Sequence, residues 1–452
     1  MRVGIIGCGY VFDKYMPTWG NHPDLIIAGV SDIDPARVDA VTRYYGLKGY
    51  PDNASLLADP EIDIVANFTP IKVHYEVSKA ALEAGKHVYS EKPLVTRMDQ
   101  ARELVALAES RGLRLSCAPS NVLGATSQTM WKAMLDGAIG KVRLVYAEFD
   151  ADPCYLLGAD PARQPAEGGS FPYLHENSTR SVTGAAFPFI KEFEMGCTYE
   201  HVGYHLSWMC AMFGPVKSVT SFSKLVMPDK TDAPLDPPDT PDFSVAVLDF
   251  HSGAAGRVTC SIAGPGDTRM RIIGDRGMLS ADTYGDYKCP VYLDLFTKLS
   301  VKTKHLKAMR GSALLQQVFG VCARKLPLLE ADAAGSRRAG RVAWWNVRGR
   351  LAQLKQAELN RQDKCIGIAD LAAGIESGRT QFPSHAFTLH LTELTLAIQA
   401  AGTRSQTHVL ETTFEPMDLP ERTRQVGMDY RKFLKPRWRT RATERLLDAM
   451  KG

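Results

Sequence analysis

The sequence predicts an α/β chain: a doubly wound parallel sheet over the first quarter, then a larger α/β region built on an open, mainly antiparallel sheet. Three observations carry this. Short apolar runs alternate with helical runs from Arg2 to Ala118, the pattern of parallel strands joined by crossover helices. The first apolar run ends in a glycine turn. Beyond residue 124 the strand-like runs instead follow one another through turns such as His251-Ser252-Gly253, read as a hairpin.

Arg2-Val3-Gly4-Ile5-Ile6 reads as a buried strand, and Gly7-Cys8-Gly9-Tyr10-Val11-Phe12 turns it into a helix. Gly7 can take backbone angles closed to other residues. Gly9 lets a pyrophosphate approach the helix N-terminus, where N–H groups and the dipole favour an anion. Phe12 stands where the third glycine of the dinucleotide fingerprint is expected. Tyr10 and Val11 open the helix and join Gly7 and Gly9 as candidate cofactor-binding residues. Leu25–Val30 is the second strand, and Asp32 follows 23 residues after Gly9. A carboxylate there accepts hydrogen bonds from a ribose diol and repels a 2′-phosphate, so NAD is expected rather than NADP. The alternative use of Asp32 is to cap the next helix, with Asp34 and Pro35 in its first turn.

Pro35–Tyr45 is a helix closed by Gly46, and a short helix follows at Ser55–Ala58. Ile62–Phe68 is a strand ending at Thr69-Pro70, Lys72–Ala84 a helix stopped by Gly85, and His87–Ser90 a strand delivering Glu91-Lys92-Pro93. Asp99–Ser110 is a helix and Leu113–Ala118 the last strand of this region. Ligands of such sheets lie beyond the C-terminal strand ends, where Thr69, Glu91 and Lys92 stand.

In the second region Gln128–Asp136 is a helix and Val142–Phe149 a strand. Further strands are expected at Val216–Val226, Ser244–Phe250, Gly256–Ile262, Arg269–Ile273 and Gly277–Leu279. Residues 158–190 and the proline-rich 229–242 read as loops, Ile366–Gly378 and Ser384–Ala401 as helices.

The 452 residues allow two domains, and 45% apolar with 23% charged residues is a globular composition. No apolar run reaches the roughly 20 residues of a membrane span. The single Arg2 before the first strand leaves no room for a signal peptide, and nine cysteines without a Cys-x-x-Cys pair suit reduced thiols. The expected location is the cytoplasm, with no metal site. The net charge of +4 is uneven: residues 300–364 hold 14 Lys/Arg against 4 Asp/Glu, and residues 421–452 hold 10 against 4.

The glycine turn, Asp32, Asn67-Phe68-Thr69-Pro70 with His74, and above all Glu91-Lys92-Pro93-Leu94 resemble the Gfo/Idh/MocA oxidoreductase family. The resemblance covers residues 1–123 closely. It implies a Rossmann domain at 1–123, binding NAD through Gly7, Gly9, Tyr10, Val11, Asp32, Thr69, Pro70, His74, Glu91, Lys92 and Asn121. Residues 124–452 would then be a substrate and oligomerisation domain with a basic insertion at about 296–362, its open sheet covering the nicotinamide. The family's Glu-Lys-Pro lysine is catalytic, which assigns Lys92; desolvation is expected to lower its pKa toward neutrality.

Glu200-His201-Val202-Gly203-Tyr204-His205 looks like the family's second-domain motif, an acid and a histidine four apart. That alignment makes His205 the catalytic histidine and puts His201, beside Glu200, where the acid is expected. Which of Glu200 and His201 orients the site stays open. His201 and His205 also have zinc-ligand spacing, but the Glu-His order lacks the usual general base; both could equally be satisfied core histidines. Asn121, Gln128 and Tyr173 are candidate substrate contacts, and His175, Glu176 and Arg180 candidates for the mouth.

The expected function is hydride transfer between NAD and a secondary alcohol of a sugar or cyclitol, with Lys92 and His205 relaying the proton. Rival readings are a redox-neutral NAD-dependent glycoside hydrolase, a nucleotide-sugar dehydrogenase and a non-catalytic NAD-binding regulator. Homo-oligomerisation is expected and nucleic-acid binding is not. The stretch Ser312–Leu326 reads as one amphipathic helix, and Trp344-Trp345 lies among arginines. Aromatics with arginines point to peripheral contact with an anionic membrane, or to packing on the body or a second subunit.

Overall fold

The computed structural model describes residues 1–151, 180–264, 266–282, 286–305, 312–329, 361–424, 426 and 428–449. Tyr173, His175, Glu176 and Trp344-Trp345 lie outside them.

The alternation predicted for the first region forms β1 (Arg2–Ile6), α1 (Tyr10–Trp19), β2 (Ile26–Ser31), α2 (Pro35–Tyr45), α3 (Asn53–Leu57), β3 (Ile64–Asn67), α4 (His74–Glu83), β4 (His87–Ser90), α5 (Met98–Ser110) and β5 (Leu115–Cys117). The strands are parallel in the order β2-β1-β3-β4-β5. Asp34, not Asp32, caps α2: its side chain accepts from the Ala36 N–H, Pro35 takes the first turn, and Gly46 closes the helix at φ +70°. Asp32 is thereby left to the glycine turn.

Apolar side chains cover both sheet faces. One cluster joins α4 and α5 to the strands through Leu82, Leu104 and Val88. The other joins α1 through Phe12 and Tyr15 to Ile5 and Ala66, and is completed by Ile368 and Leu371 of the helix Ile366–Ser377. That late helix, read from sequence as part of the second region, packs on the first sheet. Gly367 permits it, since a Cβ there would lie 2.5 Å from the Tyr89 hydroxyl.

Among the described residues the second sheet has nine strands, built with α6 (Ala125–Leu135), α7 (Phe189–Met195), α8 (Gly203–Phe213) and α9 (Lys298–His305). Its strands are β6 (Val142–Asp150), β7 (Val216–Lys224), β8 (Phe243–Phe250), β9 (Ala255–Ser261), β10 (Met270–Gly274), β11 (Gly277–Ala281), β12 (Val291–Leu295), β13 (Arg324–Leu326) and β14 (Gln406–Val409). They lie in the order β13-β12-β11-β10-β6-β9-β8-β7-β14. Among the described residues of this sheet only β6 and β9 pair in parallel; the remaining pairs are antiparallel. Alternation places Val145 and Ala147 of β6 with Ala246 and Leu248 of β8 against Leu206, Trp208 and Met209 of α8.

The stretch Ser312–Leu326 is not one helix. It is helical over Ala313–Val318, turns at Gly320 with φ +71°, and then joins the sheet edge as β13. Pairing of Arg324–Leu326 with β12 satisfies backbone groups that a continued helix would have bonded internally. Among the described residues no helix is long and apolar enough to cross a membrane.

Candidate active site

The glycine turn fits a dinucleotide. Gly7 sits at φ +104°, and a Cβ there would lie 2.6 Å from the Phe68 carbonyl carbon. A residue with a side chain would push β1 off the end of β3. Gly9 is the N-cap of α1, with no side chain engaging the helix end and nothing within 4 Å of a Cβ built on it. The open space and the uncapped N–H groups of Tyr10 and Val11 suit an anionic group. Asp32 accepts the Cys8 N–H at 2.7 Å and the Asp34 N–H at 2.9 Å. Each oxygen keeps acceptor capacity for a ribose hydroxyl. Arg37 donates to the Cys8 carbonyl and to Thr183, whose hydroxyl donates to Asp13 at 2.6 Å. Neither Arg37 nor Thr183 was singled out from sequence, because their meeting joins segments 146 residues apart.

At the ends of β3 and β4, Asn67 accepts from both the N–H and hydroxyl of Thr69 and donates to the His74 carbonyl and Ser78. Pro70 leads on into a short 3-10 turn. His74 is fully buried, its ring nitrogens 2.8 Å from the carbonyls of Pro93 and Thr69. It therefore braces the two strand-end loops rather than facing a ligand. Glu91 accepts from the Tyr15 hydroxyl at 2.6 Å and from the Lys92 N–H. Burial opposes its charge, but Lys364 and Lys92 outweigh that and hold it below the ordinary glutamate range.

Lys92 Nζ donates to Glu200 Oε2 at 2.6 Å and lies 5.8 Å from the Tyr204 ring centre. Burial opposes the ammonium, but Glu200, Tyr204 and Glu91 outweigh it and hold Lys92 above the ordinary lysine range. This corrects the expected shift toward neutrality: desolvation is present, and a buried carboxylate at contact distance overrides it.

Glu200 rather than His201 makes the contact; both lie in a π turn, Thr198–Val202, ahead of α8. Glu200 and Tyr204 face Lys92, while His201 and His205 flank Phe149 at 4.4 and 6.1 Å between ring centres. The His205 Nε2 lies 2.8 Å from the Glu148 carbonyl, and its Nδ1 accepts from Trp208 Nε1 at 3.0 Å. His205 is fully buried, and burial pushes it down to about 4. Both ring nitrogens are engaged, and the hydrogen bonds of His205 and Lys92 run to different partners. His201 Nδ1 is buried with no hydrogen-bond partner among the described residues. Burial and the Lys92 charge push this ring down to about 3.

Glu192 of α7 went unnoticed in sequence, in a stretch bordering an expected loop. It shares a cavity with Glu200, His201 and the buried Lys230–Asp242 pair. Burial and the Glu200 charge push it up to about 8. Three other candidates are tied elsewhere. Asn121 donates to the Tyr204 carbonyl and accepts from Ser207. Gln128 donates to the Val122 carbonyl and accepts from Thr423. Arg180 is exposed and donates to the Gly184 carbonyl.

Residues 1–118 match the family described as "Oxidoreductase family, NAD-binding Rossmann fold", and residues 180–280 the GFO/IDH/MocA C-terminal domain. The chain is 33% identical over 170 residues to dTDP-3,4-didehydro-2,6-dideoxy-alpha-D-glucose 3-reductase of Streptomyces antibioticus, covering 37% of this chain and 51% of that protein. It is 31% identical over 155 residues to D-glucoside 3-dehydrogenase of Escherichia coli K12, covering 32% and 42%. The matched part thus spans about half the length of these curated relatives. Among solved structures, the WlbA dehydrogenase from Bordetella pertussis in complex with NADH and UDP-GlcNAcA shares the fold, with a TM-score of 0.57 at 16% identity over 88% of this chain and 94% of that one.

Proposed function

The chain belongs to the Gfo/Idh/MocA oxidoreductase family, and from that premise we propose that it transfers a hydride between NAD and a ring carbon of a sugar or sugar derivative. The observation that carries the reading is the Lys92–Glu200 contact at the end of β4, in the sheet whose first turn fits a dinucleotide. The substrate class is supported by the names of two relatives, which specify the 3-position of a glucose derivative. NAD rather than NADP follows from Asp32 and from the commitment of Arg37 to Cys8 and Thr183.

Bound NAD supplies the hydride chemistry. The chain's part is the proton. In reduction, the ammonium of Lys92 gives a proton to the carbonyl oxygen of the substrate, and Glu200 stabilises the cation beforehand. In oxidation the same step runs in reverse: neutral Lys92 takes the hydroxyl proton, and Glu200 stabilises the ammonium that forms. Tyr204 packs beside the ammonium, and His201, neutral near pH 7, lines the neighbouring cavity with Glu192. His205 is a positioning residue that ties α8 to β6.

The test is absorbance at 340 nm with purified protein, NAD and a panel of sugars, cyclitols and aryl glycosides, with released aglycone followed in parallel. NADH accumulation with one polyol supports the reading. Aglycone release at constant absorbance replaces it with redox-neutral glycoside cleavage.

A further inference from the structure

The two basic segments late in the sequence meet in space. A concavity is lined by Gln317, Arg324 and the run Lys435–Arg439. It opens beside three short helices. The helix Trp438–Ala449 packs through Thr440, which donates to the carbonyls of Phe319 and Gly320 behind the helix Ala313–Val318. Its Glu444 accepts the Leu299 N–H of α9 at 3.0 Å.

With Thr440 and Glu444 turned inward, helical periodicity turns Trp438, Arg441, Arg445 and Leu446 outward. All four are exposed, Trp438 at 69% and Leu446 at 63%. Leu314 and Val318, one turn apart on the neighbouring helix, are 70% and 50% exposed. Lys435 and Arg439 are exposed at the rim. Burial and the charge of Arg437 hold Arg324 below the ordinary arginine range, a crowding of like charges that an anion would relieve.

We propose that this face is a docking surface for an anionic phospholipid bilayer, with lipid phosphates in the Arg324–Arg437 concavity and Trp438, Leu446, Leu314 and Val318 entering the headgroup boundary. Basic residues ringing exposed apolar ones are what such an interface requires: charge attracts the surface, and apolar side chains gain by leaving water. Nucleic acid would use the cations but would leave the aliphatic side chains without a partner. The surface stands independently of the dehydrogenase reading.

The experiment is co-sedimentation of the full chain with vesicles of phosphatidylcholine alone and with about 30% phosphatidylglycerol, at low salt and at about 0.5 M salt. Binding is expected only to the anionic vesicles and is expected to weaken in salt. Neutralising three charges, Arg439→Gln, Arg441→Gln and Arg445→Gln, should weaken partitioning on the order of 100-fold. Trp438→Ser with Leu446→Ser should weaken it while leaving the melting temperature unchanged. No sedimentation with anionic vesicles overturns the proposal, as does equal binding to neutral ones or binding that both variants leave intact. A change in the sedimentation coefficient of the lipid-free apolar variant, with no vesicle binding by the parent chain, would make the face a contact between copies instead.

Discussion

Lys92 and Glu200 are 108 residues apart in sequence and 2.6 Å apart in the fold. One stands at the end of a parallel strand in the first sheet, the other in a π turn ahead of a helix on the second. The pair joins the two halves of the molecule at the site proposed for proton transfer. Its removal is the most direct test of the chemistry: Lys92→Ala should lower kcat by about 10²- to 10⁴-fold. NAD affinity should change little, because the glycine turn is untouched. Stopped-flow turnover and NAD titration separate the two, and undiminished turnover would sink the assignment.

Glu200→Gln should move a pH profile rather than simply slow the enzyme. Without the carboxylate, burial becomes the dominant influence on Lys92 and lowers its pKa. The reductive reaction needs protonated Lys92, so its alkaline limb should shift to lower pH. A limb that stays in place would show that Glu200 does not sustain the charge.

His205 should behave as a structural residue. His205→Ala leaves the Glu148 carbonyl and the Trp208 indole without partners and opens a cavity, at a cost of roughly 2–4 kcal/mol in urea unfolding. Trp208→Phe removes one of those bonds and should cost about 1 kcal/mol. The contrary result is a His205→Asn protein of normal stability and substrate affinity with abolished kcat.

Acid should destabilise the fold through His201 and His205. Their folded pKa values, about 3 and about 4, lie below the ordinary histidine value. Neutral rings therefore contribute stability that is complete above about pH 6.5 and is lost as pH falls through the folded values. The loss should approach about 1.4 kcal/mol per pH unit for each ring, read as urea midpoints between neutrality and pH 4.

Glu192 has the opposite sign. Its folded value, about 8, lies above the ordinary carboxylate range. The protonated form contributes stability that is complete below about pH 4 and is lost as pH rises through 8. Relative to the parent chain, Glu192→Gln should gain stability as pH rises from about 5 to about 8. Parallel melting curves for the two proteins across that range would rule the shift out.

Local patterns carried most of the architecture. Strand and helix alternation, the Gly46 stop and the Pro35 start are written in residues close together, as are the glycine turn and the Glu91-Lys92-Pro93 strand end, since hydrogen-bond periodicity and allowed backbone angles act over a few residues. The helix expected across Ser312–Leu326 failed because β12 competes for the backbone of Arg324–Leu326, a partner no local window contains.

By itself the sequence determined the sheet of the first domain, the acid that follows its second strand and the lysine at the end of its fourth. The tertiary structure alone decided which partner that lysine meets. In the segment from Glu200 to His205, spacing allowed either the acid or the histidines to face the site. The packing of α8 on β6 chose the acid, turning His205 to the Glu148 carbonyl. Facing is set by the sum of long-range contacts, and it also brought forward Glu192, which carries no motif.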